Sequence, residues 1–490
     1  MGRRFYPETM KKILTISALA VTALMLAVPL GIGPVVSDFH YKPNLTYVQL
    51  APDTTFPQGL PLCKSRSLGN IVCYSPDFIK KAYEFPSTAS FDGTGQTIVI
   101  VDAFGSPTIA SDLAVFDARF GIPAPPSFTI FCGNSPTPLD PSTCPTVNIN
   151  VNPLHDEFGW TIETSLDVQY AHAMAPGANI VLDVASTSSG NAINDAETAA
   201  IAAYPGAVFS QSFGIPEIFL THNGNPGQVS QAQANYANGI TKGDTFFASA
   251  GDTGATFGFS IAMANFPGSD LHNTAVTGTQ GLPYNATGTL TPCTTITPFS
   301  CTSGLSTYHG PCLIGLRSGS PPNCVPDGYG GEQVWNEPSF GVATGGAPSL
   351  LFGVPSYQSG LSLSARGPDV AYNAAIDGGV LVVYGGFGGP SPVTFIVGGT
   401  SAGSPQWAGI AALANQARAM VSKGPIGDLN PVLYAIFHSA RYATDFHDIT
   451  VGNDKLVGSS VGFSAGTGYD LASGIGSPIV DQLIVDLAAA

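Results

Sequence analysis

Short apolar runs, mostly β-branched or aromatic, alternate along this chain with Ala-rich segments that have helical character. The pattern predicts buried strands at 93–104, 178–184, 207–210, 245–250 and 393–397, and helices around 77–83, 196–203, 230–237 and 409–417. Near-continuous apolar strands that alternate with helices are typical of a parallel sheet covered on both faces. The sequence therefore predicts an α/β fold with a mostly parallel central sheet and helices on both faces.

Three segments depart from this alternation. Residues 1–36 begin with basic residues and continue as a long uncharged apolar run, which indicates a signal peptide or a membrane anchor. Residues 37–80 are Pro-rich, and we expect a mostly irregular, short N-terminal or pro segment. Residues 280–335 are rich in Thr, Gly, Pro and Cys, which indicates a disulfide-rich surface insertion. The main domain is therefore expected at 81–490.

Charge limits the choice of partners. The net charge is −16, and only 10% of the residues are charged, against about 25% in typical soluble proteins. An acidic balance argues against nucleic acid and anionic membranes as partners. Carboxyl groups, rather than amines, are expected to set the response to pH.

The eight cysteines form close sequential pairs, without the spacing of a zinc site. In an exported protein this pattern favours local disulfides that staple loops, although spacing alone leaves the connectivity open. The pairs along the sequence are Cys63 and Cys73, Cys132 and Cys144, Cys293 and Cys301, and Cys312 and Cys324.

Ser401 lies where a predicted strand turns into a predicted helix. Glycines flank it on both sides, in the motif Gly-Thr-Ser-Ala-Gly-Ser-Pro, and allow another backbone to approach closely. The first N–H groups of a helix are unpaired donors, so a serine there has what an acyl-transfer nucleophile needs. The alternative is that Ser401 only caps the helix. The Gly-rich motif favours the nucleophile.

Two carboxylates are candidate partners for this serine. Glu163 and Asp167 are four residues apart within an apolar helical pattern, so they share one helix face. Two carboxylates held together cannot both ionise easily, and one pKa is raised. An ordinary solvated helix face is the alternative. No histidine has a subtilisin-like context, although His155 and His172 flank this segment and leave a histidine base open.

Two further aspartate sites stand out. Asp252 ends a predicted buried strand among glycines, where an active-site loop would emerge, although a turn aspartate is the simpler alternative. Near the C-terminus, Asp448 and Asp470 flank a Gly-rich loop. Carboxylates and exposed backbone carbonyls form an all-oxygen set that suits Ca²⁺, without the spacing of an EF-hand.

Together these motifs resemble the sedolisin family, the serine-carboxyl peptidases, over residues 75–490. The resemblance implies a subtilisin-like fold, with Ser401 as nucleophile, Glu163 as general base and Asp167 as its partner. Asp252 would stabilise the oxyanion. The resemblance also implies one structural Ca²⁺ ion, bound by Asp448, Ile449, Gly466, Gly468 and Asp470, with Ile449 and the glycines contributing carbonyl oxygens.

The leading hypothesis from the sequence is a secreted, acid-acting endopeptidase that cuts protein or peptide substrates. We expect a monomer that is extracellular or anchored at the cell surface, with membrane contact only through a possible N-terminal anchor. The alternatives are a subtilisin-type protease with a histidine base and a catalytically inactive cell-surface protein.

Overall fold

A computed structural model describes residues 38–51, 62–86, 91–132, 156–222, 226–281, 331–387 and 392–490, together with Tyr329 and the backbone of short strands within 295–324. These residues belong to the compact unit Asp38–Ala490. The predicted leader at 1–36 lies outside the described residues. No helix in these ranges is both long enough and apolar enough to cross a membrane.

The strands of this unit are short and are numbered here in chain order. They are β1 (Lys42–Pro43), β2 (Thr46–Gln49), β3 (Leu62–Lys64), β4 (Asn70–Tyr74), β5 (Thr97–Ala103), β6 (Phe128–Cys132), β7 (Asn179–Ala185), β8 (Val208–Gln211), β9 (Phe213–Pro216), β10 (Thr245–Ser249), β11 (Asn265–Phe266), β12 (Asn273–Gln280), β13 (Thr295–Thr297), β14 (Ser300–Ser303), β15 (Ser306–His309), β16 (Cys312–Leu313), β17 (Asn323–Cys324), β18 (Gln333–Val334), β19 (Asn336–Glu337), β20 (Val342–Ala343), β21 (Val370–Asn373), β22 (Gly379–Tyr384), β23 (Val393–Gly398), β24 (Phe446–His447) and β25 (Ser477–Pro478).

The helices are numbered in the same way. They are α1 (Pro76–Ala82), α2 (Ile109–Phe120), α3 (Asp156–Met174), α4 (Gly190–Ala203), α5 (Ile218–His222), α6 (Pro226–Lys242), α7 (Gly403–Met420), α8 (Asn430–Phe437), α9 (Tyr442–Asp445) and α10 (Val480–Ala489), with 3₁₀ turns at Ser356–Gln358 and Thr400–Ala402.

The central sheet confirms the predicted fold class. Its strand order is β18-β12-β10-β8-β5-β7-β6, with β21 also beside β12, and every pair except β12 with β18 is parallel. Alternate residues of its central strand face opposite cores. Ile98 and Ile100 pack into the core that contains α3 and α7, whereas Val99 and Val101 pack into the core that contains α4 and α6. The sheet is therefore covered by helices on both faces.

The strand that precedes Ser401, which the sequence pattern grouped with the strands of the parallel sheet, lies outside the central sheet. β23 pairs antiparallel with β22 on one side and with β2 on the other, in a second sheet of order β2-β23-β22-β4-β3. The connection from β22 to β23 is shorter than the dozen or more residues that a parallel crossover needs. The two strands therefore pair as a hairpin.

The N-terminal segment is more ordered than its Pro-rich sequence predicts. β1 pairs antiparallel with β9, and β2 adds an edge strand to β23. Helix α1 follows close to the predicted position. The prediction of a mostly irregular segment was wrong because these short strands take their pairing partners from regions more than 150 residues away in the sequence.

One predicted disulfide is confirmed directly. Cys63 and Cys73 are bonded across the pair β3 and β4. Cys132 is also disulfide-bonded. In the segment predicted as an insertion, Cys312 lies opposite Cys324 in the register of β16 and β17. Cys144 and Cys293 lie outside the described residues.

Candidate active site

Ser401 occupies a tight turn between strand β23 and helix α7. The turn starts at Gly399, whose φ of 123° is in the region that favours glycine. A Cβ atom at this position would lie 2.3 Å from the carbonyl oxygen of Asn44 and 2.5 Å from Oδ2 of Asp252. Only glycine fits, and the serine side chain that follows is fully buried.

The Ser401 hydroxyl is linked to Asp167 through one serine. Ser401 Oγ donates to the carbonyl oxygen of Ser212 at 2.9 Å. Ser212 Oγ in turn lies 2.9 Å from Oδ1 of Asp167, to which it donates, and 3.2 Å from the carbonyl oxygen of Ser401. Ser212 stands between β8 and β9, so the central sheet positions this bridge. The sequence analysis did not identify it.

Helix α3 carries Glu163 and Asp167 one turn apart, as predicted, and both side chains are fully buried. Burial raises the pKa of Glu163, and the nearby carboxyls of Asp167 and Asp102 raise it further. An interaction with the Ser401 hydroxyl opposes this rise. Neither oxygen of Glu163 has a partner with full hydrogen-bond geometry among the described residues, so the carboxyl is close to the serine but not tightly hydrogen-bonded to it.

Asp102 is a third buried carboxyl that the sequence analysis missed. It lies in β5, on the face where Ile98 and Ile100 pack into the core around α3, and its side chain is fully buried. Burial and then Asp102 raise the pKa of Asp167, while contacts with Ser212 and Glu163 oppose the rise. The available signal was a carboxylate within an otherwise apolar predicted strand, since such a residue rarely occurs there without a role.

Asp252 faces the Ser401 turn from the loop after β10. Its Oδ1 accepts hydrogen bonds from the backbone N–H and the Oγ1 hydroxyl of Thr400, both at 2.8 Å. Its Oδ2 is buried and has no partner among the described residues. Burial raises the pKa of Asp252 to about 8, while the two bonds from Thr400 oppose the rise. At acid and neutral pH this carboxyl is therefore mainly protonated and can donate through Oδ2.

The histidine considered as an alternative base has other partners. His172 Nε2 lies 2.9 Å from the carbonyl oxygen of Pro123 and 3.3 Å from Oδ1 of Asp117. These contacts hold the ring against the end of α2 and the residues after it, whereas the Ser401 hydroxyl bonds to Ser212. His155 lies outside the described residues.

The two aspartates of the predicted calcium site converge on one loop. Asp448 accepts the Gly468 N–H at 2.9 and 3.1 Å. Asp470 accepts the N–H of Gly466 at 3.0 Å, and burial raises its pKa. Both carboxyls also raise the pKa of Tyr442, which places them near the same hydroxyl.

No Lys or Arg in the described ranges pairs with either aspartate. The described residues contain no cluster of three or more His, Cys, Asp or Glu side chains suited to a metal. A cation here would therefore depend on two carboxylates plus backbone carbonyls such as that of Ile449, the residue that follows Asp448. This all-oxygen, negatively charged donor set fits Ca²⁺.

Comparison with known proteins finds similar peptidases. No protein-family model matches the chain. Kumamolisin from Bacillus sp. (strain MN-32) is 29% identical over 424 residues, which cover 84% of this chain and 63% of the relative. Xanthomonalisin from Xanthomonas sp. (strain T-22) is 30% identical over 342 residues, 66% of this chain and 37% of the relative. The chain thus spans less than two thirds of the length of these relatives.

A solved structure shares the fold. Pseudomonas sedolisin, described as a serine-carboxyl proteinase and solved with two molecules of pseudo-iodotyrostatin, superimposes with a TM-score of 0.63 at 23% identity, over 86% of this chain and 99% of that one. The architecture is therefore the α/β fold of that proteinase. In sequence and in fold, the chain is similar to members of the sedolisin family.

The raised pKa values of the buried carboxyls predict that the free energy of unfolding falls as pH rises. Asp252 and Glu197 have folded pKa values of about 8, raised chiefly by burial, against ordinary values of 3.8 and 4.5. Between these values the folded chain binds more protons than the unfolded chain, so the free energy of unfolding decreases from about pH 4 to about pH 8. Melting temperatures of the Ser401→Ala variant, measured from pH 4 to 8, should therefore fall.

A matched variant tests the origin of this effect. Glu197 lies in α4, on the sheet face opposite the Ser401 site, and is fully buried. Glu197→Gln keeps the shape of the side chain and removes its titration, so its melting temperature should depend less steeply on pH than that of the parent. A protein that melts at higher temperature at pH 8 than at pH 4 would contradict the prediction.

Proposed function

We propose that the chain is a secreted, acid-acting serine-carboxyl endopeptidase that hydrolyses peptide bonds of protein substrates through Ser401, Glu163 and Asp167. The observation that carries the proposal is the buried serine at a strand-to-helix turn, linked through Ser212 to a pair of buried carboxyls. The kumamolisin and sedolisin relatives support a peptidase of this type. Secretion rests on the predicted leader, and we expect the protein to act as a monomer.

In this mechanism Ser401 Oγ attacks the substrate carbonyl and Glu163 accepts its proton. Glu163 can accept a proton only when its own carboxyl is ionised. Because Asp167 lies beside it, the two carboxyls titrate as a pair, and loss of one shared proton leaves a base next to the serine. The proton that Glu163 accepted from Ser401 then passes to the leaving amine. Water hydrolyses the acyl-enzyme in a second step.

The developing oxyanion requires hydrogen-bond donors. The Ser401 N–H is one, at the start of the turn that leads into α7. The second is the protonated carboxyl of Asp252, whose Oδ2 is free and lies beside Gly399. This donor is lost when Asp252 ionises, so the catalytic machinery needs one carboxyl ionised and another protonated.

A Ca²⁺ ion bound by Asp448, Asp470 and the carbonyls of Ile449, Gly466 and Gly468 would neutralise the two carboxylates. Bound there, the ion would stabilise the C-terminal loop and would take no part in the reaction. The aspartates now hold loop N–H groups. They would need to turn partly toward the ion.

The nucleophile and the base are tested by substitution. Ser401→Ala and Glu163→Gln should each lower kcat by roughly a million-fold, and the double variant should be little worse, because the residues act as a unit. Cleavage of a denatured protein substrate at pH 4 measures the loss, and circular dichroism checks the fold. A folded Glu163→Gln protein with near-wild-type turnover would refute the assignment.

The pH profile tests the second carboxyl. Activity should be bell-shaped and centred below pH 7, rising as the Glu163–Asp167 pair loses a proton and falling as Asp252, with a pKa of about 8, loses its own. In Asp252→Asn the side-chain amide donates a hydrogen bond at any pH, so the alkaline limb of the activity profile should flatten. Losing this donor costs on the order of 100- to 1,000-fold in rate. Equal wild-type activity at pH 5 and pH 9 would count against the mechanism.

Calcium binding is tested by stability. An ion that binds only the folded chain raises its stability by mass action. A chelator should therefore lower the melting temperature of the wild type but not that of Asp470→Ala. Asp486→Ala, which removes a carboxylate that pairs instead with Arg441, serves as the control and should respond like the wild type. The same chelator response in Asp470→Ala would exclude this site.

A further inference from the structure

The loop of residues 250–254, called here the oxyanion loop, carries Asp252 and lies against a second loop that is distant in sequence. The second loop, residues 342–346, is called here the support segment. The two run parallel, with Thr253 opposite Ala343. Loops open more easily than the strands of a core, so contacts from outside the oxyanion loop are needed to hold Asp252 in place.

Three backbone hydrogen bonds join the support segment to the oxyanion loop. The Ala343 N–H donates to the carbonyl oxygen of Asp252 at 3.1 Å. The Gly345 N–H donates to the carbonyl oxygen of Gly251 at 2.6 Å. In the opposite direction, the Gly254 N–H donates to the carbonyl oxygen of Ala343 at 2.9 Å. The position of Asp252 therefore depends on the position of the support segment.

Asp454 packs behind both elements. It lies in the loop of residues 451–465, and its side chain is fully buried. A Cβ atom on Gly254 would lie 2.8 Å from the carbonyl oxygen of Asp454, and a Cβ atom on Gly346 would lie 3.1 Å from its Oδ2. The two glycines thus allow this aspartate to approach closely. Asp454 lies against the oxyanion loop with its backbone and against the support segment with its side chain.

The carboxyl of Asp454 is hydrogen-bonded through only one of its oxygens. Oδ1 accepts the Phe463 N–H at 2.5 Å, and the Asp454 N–H donates to the carbonyl oxygen of Phe463 at 3.1 Å. Oδ2, which lies near Gly346, is buried and has no partner in the described part of the chain. Because a buried charge is costly, burial raises the pKa of Asp454 to about 8. The carboxyl is therefore neutral in acid.

Asn336 holds the chain on both sides of Asp454. Its Nδ2 donates to the carbonyl oxygen of Asn453 at 3.1 Å and to that of Lys455 at 2.9 Å. Asn336 belongs to β19, which pairs antiparallel with β20 at the start of the support segment, where Asn336 lies opposite Ala343. The hairpin of β19 and β20 therefore joins the loop of Asp454 to the oxyanion loop.

We propose that Asp454 is a positioning residue for the reaction, which holds the oxyanion loop so that Asp252 Oδ2 is aimed at the developing oxyanion. This inference rests on the proposed function and extends it to a residue that acts through Asp252 rather than on the substrate. Oxyanion donors act only when they are aligned, and a misplacement of about 1 Å can cost on the order of 100-fold in rate. Asp454 should therefore affect the chemical step more than substrate binding.

Removal of the side chain is the first test. Asp454→Ala should lower kcat by about 10- to 100-fold and leave KM nearly unchanged, because the oxyanion donor shifts while the rest of the cleft stays in place. Both constants are measured at pH 4 with an internally quenched peptide that the wild type cuts. Asp454→Asn keeps the shape and the Oδ1 acceptor, so its kcat should stay close to that of the wild type. An unchanged kcat in a folded Asp454→Ala protein would overturn the inference.

A matched aspartate separates positioning from a general loss of stability. Asp244 is also fully buried, and its Oδ1 accepts the N–H groups of Gly206 at 2.6 Å and Ala207 at 3.1 Å. Its Oδ2, like that of Asp454, has no partner among the described residues. Asp244 directly precedes β10, at the opposite end of that strand from the oxyanion loop. Asp244→Ala should lower the melting temperature but leave kcat unchanged, and an equal loss of kcat in both variants would overturn the inference.

A double-mutant cycle tests whether Asp454 acts through Asp252. Asp252→Ala removes the donor itself, so Asp454→Ala should cost little further rate in that background. Residues that act independently would instead give losses in kcat that multiply. Full multiplication of the two losses would show that Asp454 acts by another route and would overturn the inference.

A pair of inhibitors gives a readout other than turnover. With a peptide aldehyde, Ser401 Oγ bonds to the aldehyde carbon and the serine proton moves to the former carbonyl oxygen, which takes the oxyanion position. The matching peptide alcohol binds without forming this bond. Asp454→Ala should weaken inhibition by the aldehyde by about the same factor as kcat and leave inhibition by the alcohol unchanged. Equal weakening of both inhibitors would place Asp454 in substrate binding instead and overturn the inference.

The results separate this inference from the proposed function. Wild-type turnover in Ser401→Ala would refute the proposed function, whereas an inactive Ser401→Ala beside a fully active Asp454→Ala would refute only the positioning role. If Asp454→Ala does not fold, Asn336→Ala takes its place, because Asn336 is only partly buried and its loss frees the loop of Asp454. This variant should show the same selective loss of kcat, and an unchanged kcat would overturn the inference.

Discussion

The free-energy cost of burying carboxyl groups without a neighbouring cation is the main physical constraint on this site. Glu163, Asp167 and Asp102 crowd on one face of the central sheet, and Asp252 approaches the same serine from the next loop. A buried charge without a counter-ion is expensive, so such groups hold protons instead. In the proposed mechanism, these carboxyls take the place that a histidine has in a Ser-His-Asp triad. Stability, and activity in the proposed mechanism, are therefore both expected to fall as the pH rises through about 8.

The same backbone that builds the fold also assembles the site. Ser401 is positioned by the second sheet, through β23, whereas Ser212 and Asp252 follow parallel strands of the central sheet, β8 and β10. The carboxyl ends of parallel strands meet at one edge, which brings these residues together although they are far apart in sequence. Helix α3, which packs on one face of the central sheet, contributes the side chains of Glu163 and Asp167.

Local patterns in the sequence were sufficient for the parts of the site that are local. The four-residue spacing of Glu163 and Asp167 and the Gly-rich turn at Ser401 require no knowledge of distant partners. Asp102, Ser212 and the strand pairing of the N-terminal segment could not be derived in this way. Their environment depends on contacts between residues more than 60 positions apart. The sequence of a short polar strand alone does not indicate which strand it pairs with.

The proposed reaction requires opposite protonation states in neighbouring buried carboxyls. Glu163 can act as a base only when it is ionised, whereas burial raises its pKa. The adjacent carboxyl of Asp167 raises that pKa further, so the pair gives up one proton before the other. Asp252 is bonded to Thr400 instead, and burial raises its pKa to about 8. Activity in the proposed mechanism is therefore expected only in the interval between the first ionisation of the Glu163–Asp167 pair and the ionisation of Asp252.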